Sequence, residues 1–130
     1  MTALPEVLIV DDDRLMRTML RDALADVPCV IAEADSGDAA LGRIRERRPA
    51  VVLLDLVMPG LSGLEVLRAL KTATPPTTSR ILVLSALDSE ALVQQAMSDG
   101  AYGFLTKPLH RLDVANMVRG ALEATGSRTP

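Results

Sequence analysis

Apolar residues along the chain follow two alternating rhythms. Short runs at Val7–Val10, Cys29–Ala32, Val51–Leu54, Ile81–Leu84 and Tyr102–Leu105 predict five strands. Three of them are nearly continuous in Val, Ile and Leu, as a parallel strand reads when helices cover both faces of its sheet. Between the runs the repeat becomes helical. Leu15, Met16, Met19, Leu20, Ala23, Leu24 and Val27 trace one inward face, with Arg14, Arg17 and Arg21 off it. A second helix is predicted from Asp38 to Arg47, stopped by Pro49. Ser62 and Glu65 have capping-box spacing for a third, which carries Leu64, Leu67 and Leu70. Asp88 or Ser89 would cap a fourth, with Leu92, Val93, Ala96 and Met97 inward and Gly100 as its stop. A fifth, Leu112–Ala124, follows Pro108 and buries Val114, Val118, Ala121 and Leu122. Five βα units in series predict a doubly wound α/β domain: an open parallel sheet with right-handed crossovers.

Two stretches fall outside this plan. Thr72–Ser79 is a polar loop stiffened by Pro75 and Pro76, and Thr125–Pro130 reads as a tail or the start of a linker, leaving the domain over residues 1–124. With 130 residues, one domain with its own core is expected. Composition then removes several functions. A single cysteine, Cys29, excludes an internal disulfide framework and a cysteine-rich zinc site; in a predicted strand it reads as inert packing. No apolar run approaches the roughly 20 residues of a membrane span. Glu6 and Asp11 interrupt any signal-peptide core, so a cytoplasmic location is expected. A net charge of −3 and 2% aromatic residues give no footprint for direct nucleic-acid binding.

In such sheets ligands gather beyond the carboxyl ends of the strands. After the first strand come Asp11, Asp12 and Asp13; after the third, Asp55; after the fourth, Ser85; after the fifth, Lys107. Carboxylates so placed repel one another and raise one another's pKa unless a cation sits among them, and their hard oxygens favour Mg²⁺. A carboxylate can act as nucleophile toward phosphorus, with Lys107 as point charge and Ser85 as hydroxyl donor for the phosphoryl oxygens. Each residue also has a plainer reading. Asp13 suits a helix N-cap, Asp55 before Pro59-Gly60 suits a turn, and Lys107 alone suits a solvated surface. The coincidence at four strand ends favours chemistry.

Val10-Asp11-Asp12-Asp13, the stretch Leu53-Leu54-Asp55-Leu56-Val57-Met58-Pro59-Gly60, Ser85-Ala86 and Thr106-Lys107-Pro108 resemble the motifs of two-component response-regulator receiver domains, and the resemblance spans Glu6 to Ala124. It implies a flavodoxin-like sheet of order 2-1-3-4-5 flanked by five helices. By the same resemblance Asp55 is the phospho-acceptor, and Asp11, Asp12, Asp55 and the Val57 backbone carbonyl are Mg²⁺ ligands. Ser85 and Lys107 contact the phosphoryl group, Phe104 is the switch aromatic, and the Lys107–Pro108 bond is cis. The donor would be a histidine kinase or phosphotransfer protein. The surface of the fourth helix, fifth strand and fifth helix would switch toward an unidentified output partner or effector domain, or toward a second copy in a homodimer. Enzymatic chemistry would be confined to the domain's own phosphorylation and slow dephosphorylation. Val57 and Leu87, two residues beyond Asp55 and Ser85, are apolar and cannot hydrogen-bond an attacking water.

Two other readings compete. A haloacid-dehalogenase-type phosphatase would use Asp11 with Asp13, but it leaves Asp55 unexplained and the chain is short for that class. A degenerate receiver serving only interaction or dimerisation is opposed by the complete acidic set. His110 is a poor phosphotransfer histidine, and Arg43, Arg45, Arg47 and Arg48 read as a solvated basic face. The chain is expected to be a stand-alone receiver or an N-terminal piece of a longer protein. Neither the kinase nor the output is legible.

Overall fold

The computed structural model describes residues 3–86 and 89–126. In chain order the elements are β1 (Glu6–Val10), α1 (Arg14–Ala23), β2 (Val30–Ala34), α2 (Gly37–Arg47), β3 (Val51–Asp55), α3 (Gly63–Lys71), β4 (Arg80–Ser85), α4 (Glu90–Ser98), β5 (Gly103–Thr106) and α5 (Arg111–Gly126). The strands are parallel in the order β2-β1-β3-β4-β5, so the expected doubly wound sheet is present.

The unbroken apolar runs follow from two separate cores. Leu8, Val10, Val52, Leu54 and Val83 point to the side covered by α2, α3 and α4. Val7, Ile9, Val51, Leu53, Leu82 and Leu84 point to the side covered by α1 and α5. Successive residues of a strand face opposite ways, so a strand buried on both sides has no polar position to spare.

Helix starts follow local chemistry. Asp13, Ser36 and Ser62 each accept a backbone N–H at the starts of α1, α2 and α3, and Ser62 with Glu65 completes the expected capping box. At α4 Ser89 holds the N-cap position without a side-chain bond, and Asp88 lies outside the described residues. Gly100, with φ +106°, ends α4 as expected.

Several expectations shift. The second strand begins at Val30, leaving Cys29 half-buried just before it, and the fifth begins at Gly103, leaving Tyr102 outside. Leu15, predicted on the inward stripe of α1, is 79% exposed in its first turn. Val27 is buried, but in the turn after α1. Met97 is 40% exposed, since only Ala96 of α4 is fully buried. α5 continues two residues past Ala124, so Thr125 and Gly126 belong to it, while residues 127–130 of the expected tail lie outside the described set.

Candidate functional site

Register brings the strand-end residues together. Val10 pairs with Leu54, so Asp11 and Asp55 follow on adjacent strands, and Ser85 pairs with Thr106. Backbone bonds fix these ends: the Asp11 N–H donates to Ala34 O at 3.2 Å, Leu56 N–H to Leu84 O at 3.1 Å, and Lys107 N–H to Ser85 O at 2.7 Å. Asp11, Asp12 and Asp55 each present a carboxylate oxygen within 4.8 Å of the other two. Lys107 Nζ lies 3.5 Å from Asp55 Oδ2. Four of the sequence-selected side chains therefore share one pocket, reached from three strand ends.

Its electrostatics are unbalanced. Asp11 is 1% exposed and Asp55 5%, whereas Asp12 is open to solvent. Burial, ahead of repulsion between neighbouring carboxylates, pushes both Asp11 and Asp55 above the ordinary carboxylate range. The Val57 N–H, 3.2 Å from Asp55 Oδ1, and the Lys107 ammonium pull Asp55 back only in part. Asp11 Oδ1 accepts the Asp13 N–H at 2.9 Å, while Asp11 Oδ2 is buried with no hydrogen-bond partner. Three carboxylates facing one ammonium, with an orphaned buried oxygen among them, fit a hard divalent cation such as Mg²⁺.

Ser85, 2% exposed, also has a buried and unpartnered Oγ. Beside it a cavity of about 460 Å³ runs between Ser85, Val93, Met97 and Phe104. Phe104 itself stands 44% exposed at the rim, so it is not a core residue here. Val57 is 63% exposed at the pocket mouth, and Leu87 lies outside the described residues. The Lys107–Pro108 peptide bond is cis. Asp13 takes the plainer of its two readings: its Oδ1 accepts the Leu15 N–H at 2.9 Å as the cap of α1. His110 is exposed.

Two supports of the site escape a sequence reading. Arg17 reaches under the first loop, donating from Nη1 to the Asp11 carbonyl at 2.8 Å and from Nε to Glu33 at 2.8 Å. Periodicity placed Arg17 off the core stripe of α1, which is true, but gave it no partner. Gly63 lies directly beneath the end of β3: a Cβ there would stand 2.7 Å from Leu56 Cα and collide with the Asp55 carbonyl. A glycine just inside a capped helix was the available signal.

Known proteins share this fold. A family profile described as the response regulator receiver domain matches residues 7–119. The chain is 35% identical over 119 residues to the chemotaxis protein CheY of Listeria monocytogenes, covering 91% of this chain and 95% of that one. It is 34% identical over 115 residues to the response regulator GacA of Pseudomonas viridiflava, covering 87% of this chain but only 53% of GacA. The chain thus spans about half the length of that relative. Among solved structures, Vibrio cholerae CheY4 superposes with a TM-score of 0.82 at 28% identity, over 92% of this chain and 100% of that one. The Francisella response regulator 1452 receiver domain gives 0.83 at 27% identity, over 93% and 98%.

Proposed function

The chain belongs to the response regulator receiver domain family, and we propose that it takes a phosphoryl group onto Asp55 from a phosphohistidine of a histidine kinase or phosphotransfer protein. The observation that carries this reading is the Lys107 ammonium 3.5 Å from a buried Asp55 carboxylate that shares its pocket with Asp11 and Asp12. In the transfer an Asp55 carboxylate oxygen bonds to phosphorus. The phosphorus–nitrogen bond breaks, and its electron pair leaves with the imidazole. Asp11, Asp12, Asp55 and the Val57 backbone carbonyl would hold Mg²⁺, which supplies positive charge for the phosphoryl oxygens when bound. Lys107 gives up its pair with the free carboxylate and meets the same oxygens from the other side.

The signal then has a route outward. Ser85 Oγ, without a partner in the unmodified protein, donates to the new phosphoryl group. Its inward movement enlarges the cavity that Phe104 already borders, and Phe104 turns from solvent into that space. The α4–β5–α5 surface thereby changes its affinity for an output partner, an effector domain or a second copy of the chain. Phe104 lacks a phenol hydroxyl, so the switch acts through packing alone.

Intact mass after incubation with a small-molecule phosphodonor and Mg²⁺, beside Asp55→Asn, tests the reading. One Mg²⁺-dependent phosphoryl adduct, absent from the variant, is expected. An adduct that survives Asp55→Asn would place the chemistry on another aspartate.

A further inference from the structure

At the end of the sheet where β3 and β4 begin, away from Asp55 at the far end of β3, lies a second cavity of about 430 Å³. Ile44 of α2 and Leu70 of α3 supply apolar lining, the Pro75–Pro76 segment forms one wall, and Arg45 and Arg48 line it as well. The wall is tied down, because Ser79 Oγ donates to Pro49 O at 2.6 Å and joins the loop to the turn after α2.

Two observations set this cavity apart from a packing gap. The first is charge. Residues 43–48 carry four arginines in a chain of net charge −3. Among the described residues Arg47 pairs with Glu6, whereas Arg45 and Arg48, the two that line the cavity, have no ion-pair partner. The second is backbone conformation. Arg48 caps α2 in the left-handed region, with φ 47° and ψ 60°, and is the one non-glycine residue at positive φ among those described. Glycine or asparagine ordinarily fills such a position. An arginine there keeps the chain in a strained well that glycine would relieve, and strain of this kind gathers where a side chain serves a ligand.

We propose that this cavity is a binding site for a small organic anion, a carboxylate or phosphate head group on a flat apolar body, independent of the phosphorylation pocket. The head group would be met by the guanidinium forks of Arg45 and Arg48, which match planar oxyanions. The body would lie on Ile44 and Leu70 against the proline wall. The volume falls within the usual range of small-molecule pockets, about 300–1,000 Å³.

Titration of the ¹⁵N-labelled protein with 2-naphthoate, 2-naphthyl phosphate and neutral 2-naphthalenemethanol, all in EDTA, tests the site. Saturable amide shifts confined to residues 44–48 and 70–78 are expected with either anion. The neutral alcohol should bind at least roughly tenfold more weakly, the loss expected when charge-assisted hydrogen bonds go unmade. The tighter anion identifies the head group. Arg48→Gly should melt no lower than the parent yet bind the anion more weakly, which separates ligand recognition from folding. Arg45→Gln with Arg48→Gly should abolish saturation. The proposal is overturned if those amides do not shift at millimolar anion, if the neutral alcohol matches the anions, or if the double variant binds like the parent.

Discussion

Arg17 Nη1 donates to the backbone carbonyl of Asp11 at 2.8 Å, so a helix side chain holds the first residue of the acidic loop from behind. The same guanidinium is held by Glu33 on β2 at 2.8 Å, and Arg21 closes on the other Glu33 oxygen at 2.7 Å. The loop that carries two of the three pocket carboxylates is thus braced between α1 and β2. Removing Arg17 leaves a buried carbonyl without that donor, so Arg17→Met should cost about 1–3 kcal/mol. Arg21, whose side chain is 47% exposed, only adds a screened ion pair, and Arg21→Met should cost less than about 1 kcal/mol. Urea denaturation of both variants checks the order; equal losses would mean the Asp11 carbonyl finds another donor.

The brace is sensitive to acid. The hydrogen bond from Arg21, with a second from Arg17, holds the Glu33 carboxyl below its ordinary value despite partial burial. A carboxylate depressed in the folded state adds stability above its unfolded pKa, and that stability is lost as pH falls through the folded value. Between neutrality and roughly pH 4 and below, the parent should therefore lose stability more steeply than Glu33→Gln. Parallel curves from melts across this range would contradict the brace.

Asp11 has the opposite sign. Burial raises it, so its charged form opposes folding at neutral pH, and stability is regained as pH falls toward the raised value. Asp11→Asn in EDTA at pH 7 should raise the melting temperature by a few degrees, the scale of about 1 kcal/mol in a domain of this size. Added Mg²⁺ should stabilise the parent and leave the variant nearly unchanged. A variant that melts lower than the parent without metal would show that the buried carboxylate carries no such penalty.

Gly63→Ala tests the packing beneath Asp55. The added methyl meets backbone rather than a movable side chain, so β3 or α3 must shift. Overpacking of this kind costs about 1–3 kcal/mol, and the displaced Asp55 should accept a phosphoryl group more slowly from a small-molecule donor. Normal stability with normal phosphorylation would mean that the two elements can separate freely.

Phosphoryl lifetime is the readout for Val57. An amide at this exposed position can hydrogen-bond a water near the acyl phosphate, which valine cannot. Val57→Asn should shorten the lifetime by about tenfold, less than the roughly 10²–10⁴-fold of a positioned acid or base because an amide only orients the water. Pairing it with Leu87→Glu should shorten it further. An unchanged decay by intact mass for the double variant would remove the role given to both side chains.

Much of this protein is written locally. The unbroken runs at Val7–Val10 and Val51–Leu54 announce strands buried on both faces, and Ser62 with Glu65 announces a helix start, because burial and capping are set by neighbours in sequence. Asp11, Asp55, Ser85 and Lys107 were legible as a set because each follows a strand, and a parallel sheet delivers all such ends to one edge. Depth and partnership are different in kind. That Asp11 and Asp55 are raised chiefly by burial, that Phe104 stands at the rim of a cavity instead of in the core, and that Leu15 and Met97 leave their helical stripes all depend on what packs over them. The bond from Arg17 to Asp11 joins residues six apart, but its geometry exists only once Glu33, sixteen residues beyond Arg17, has paired on β2. The sequence alone determined which groups meet at the sheet edge. Only the tertiary structure decided how far each is withdrawn from water and what braces it, because solvation and long side-chain contacts depend on the whole fold rather than on any local stretch.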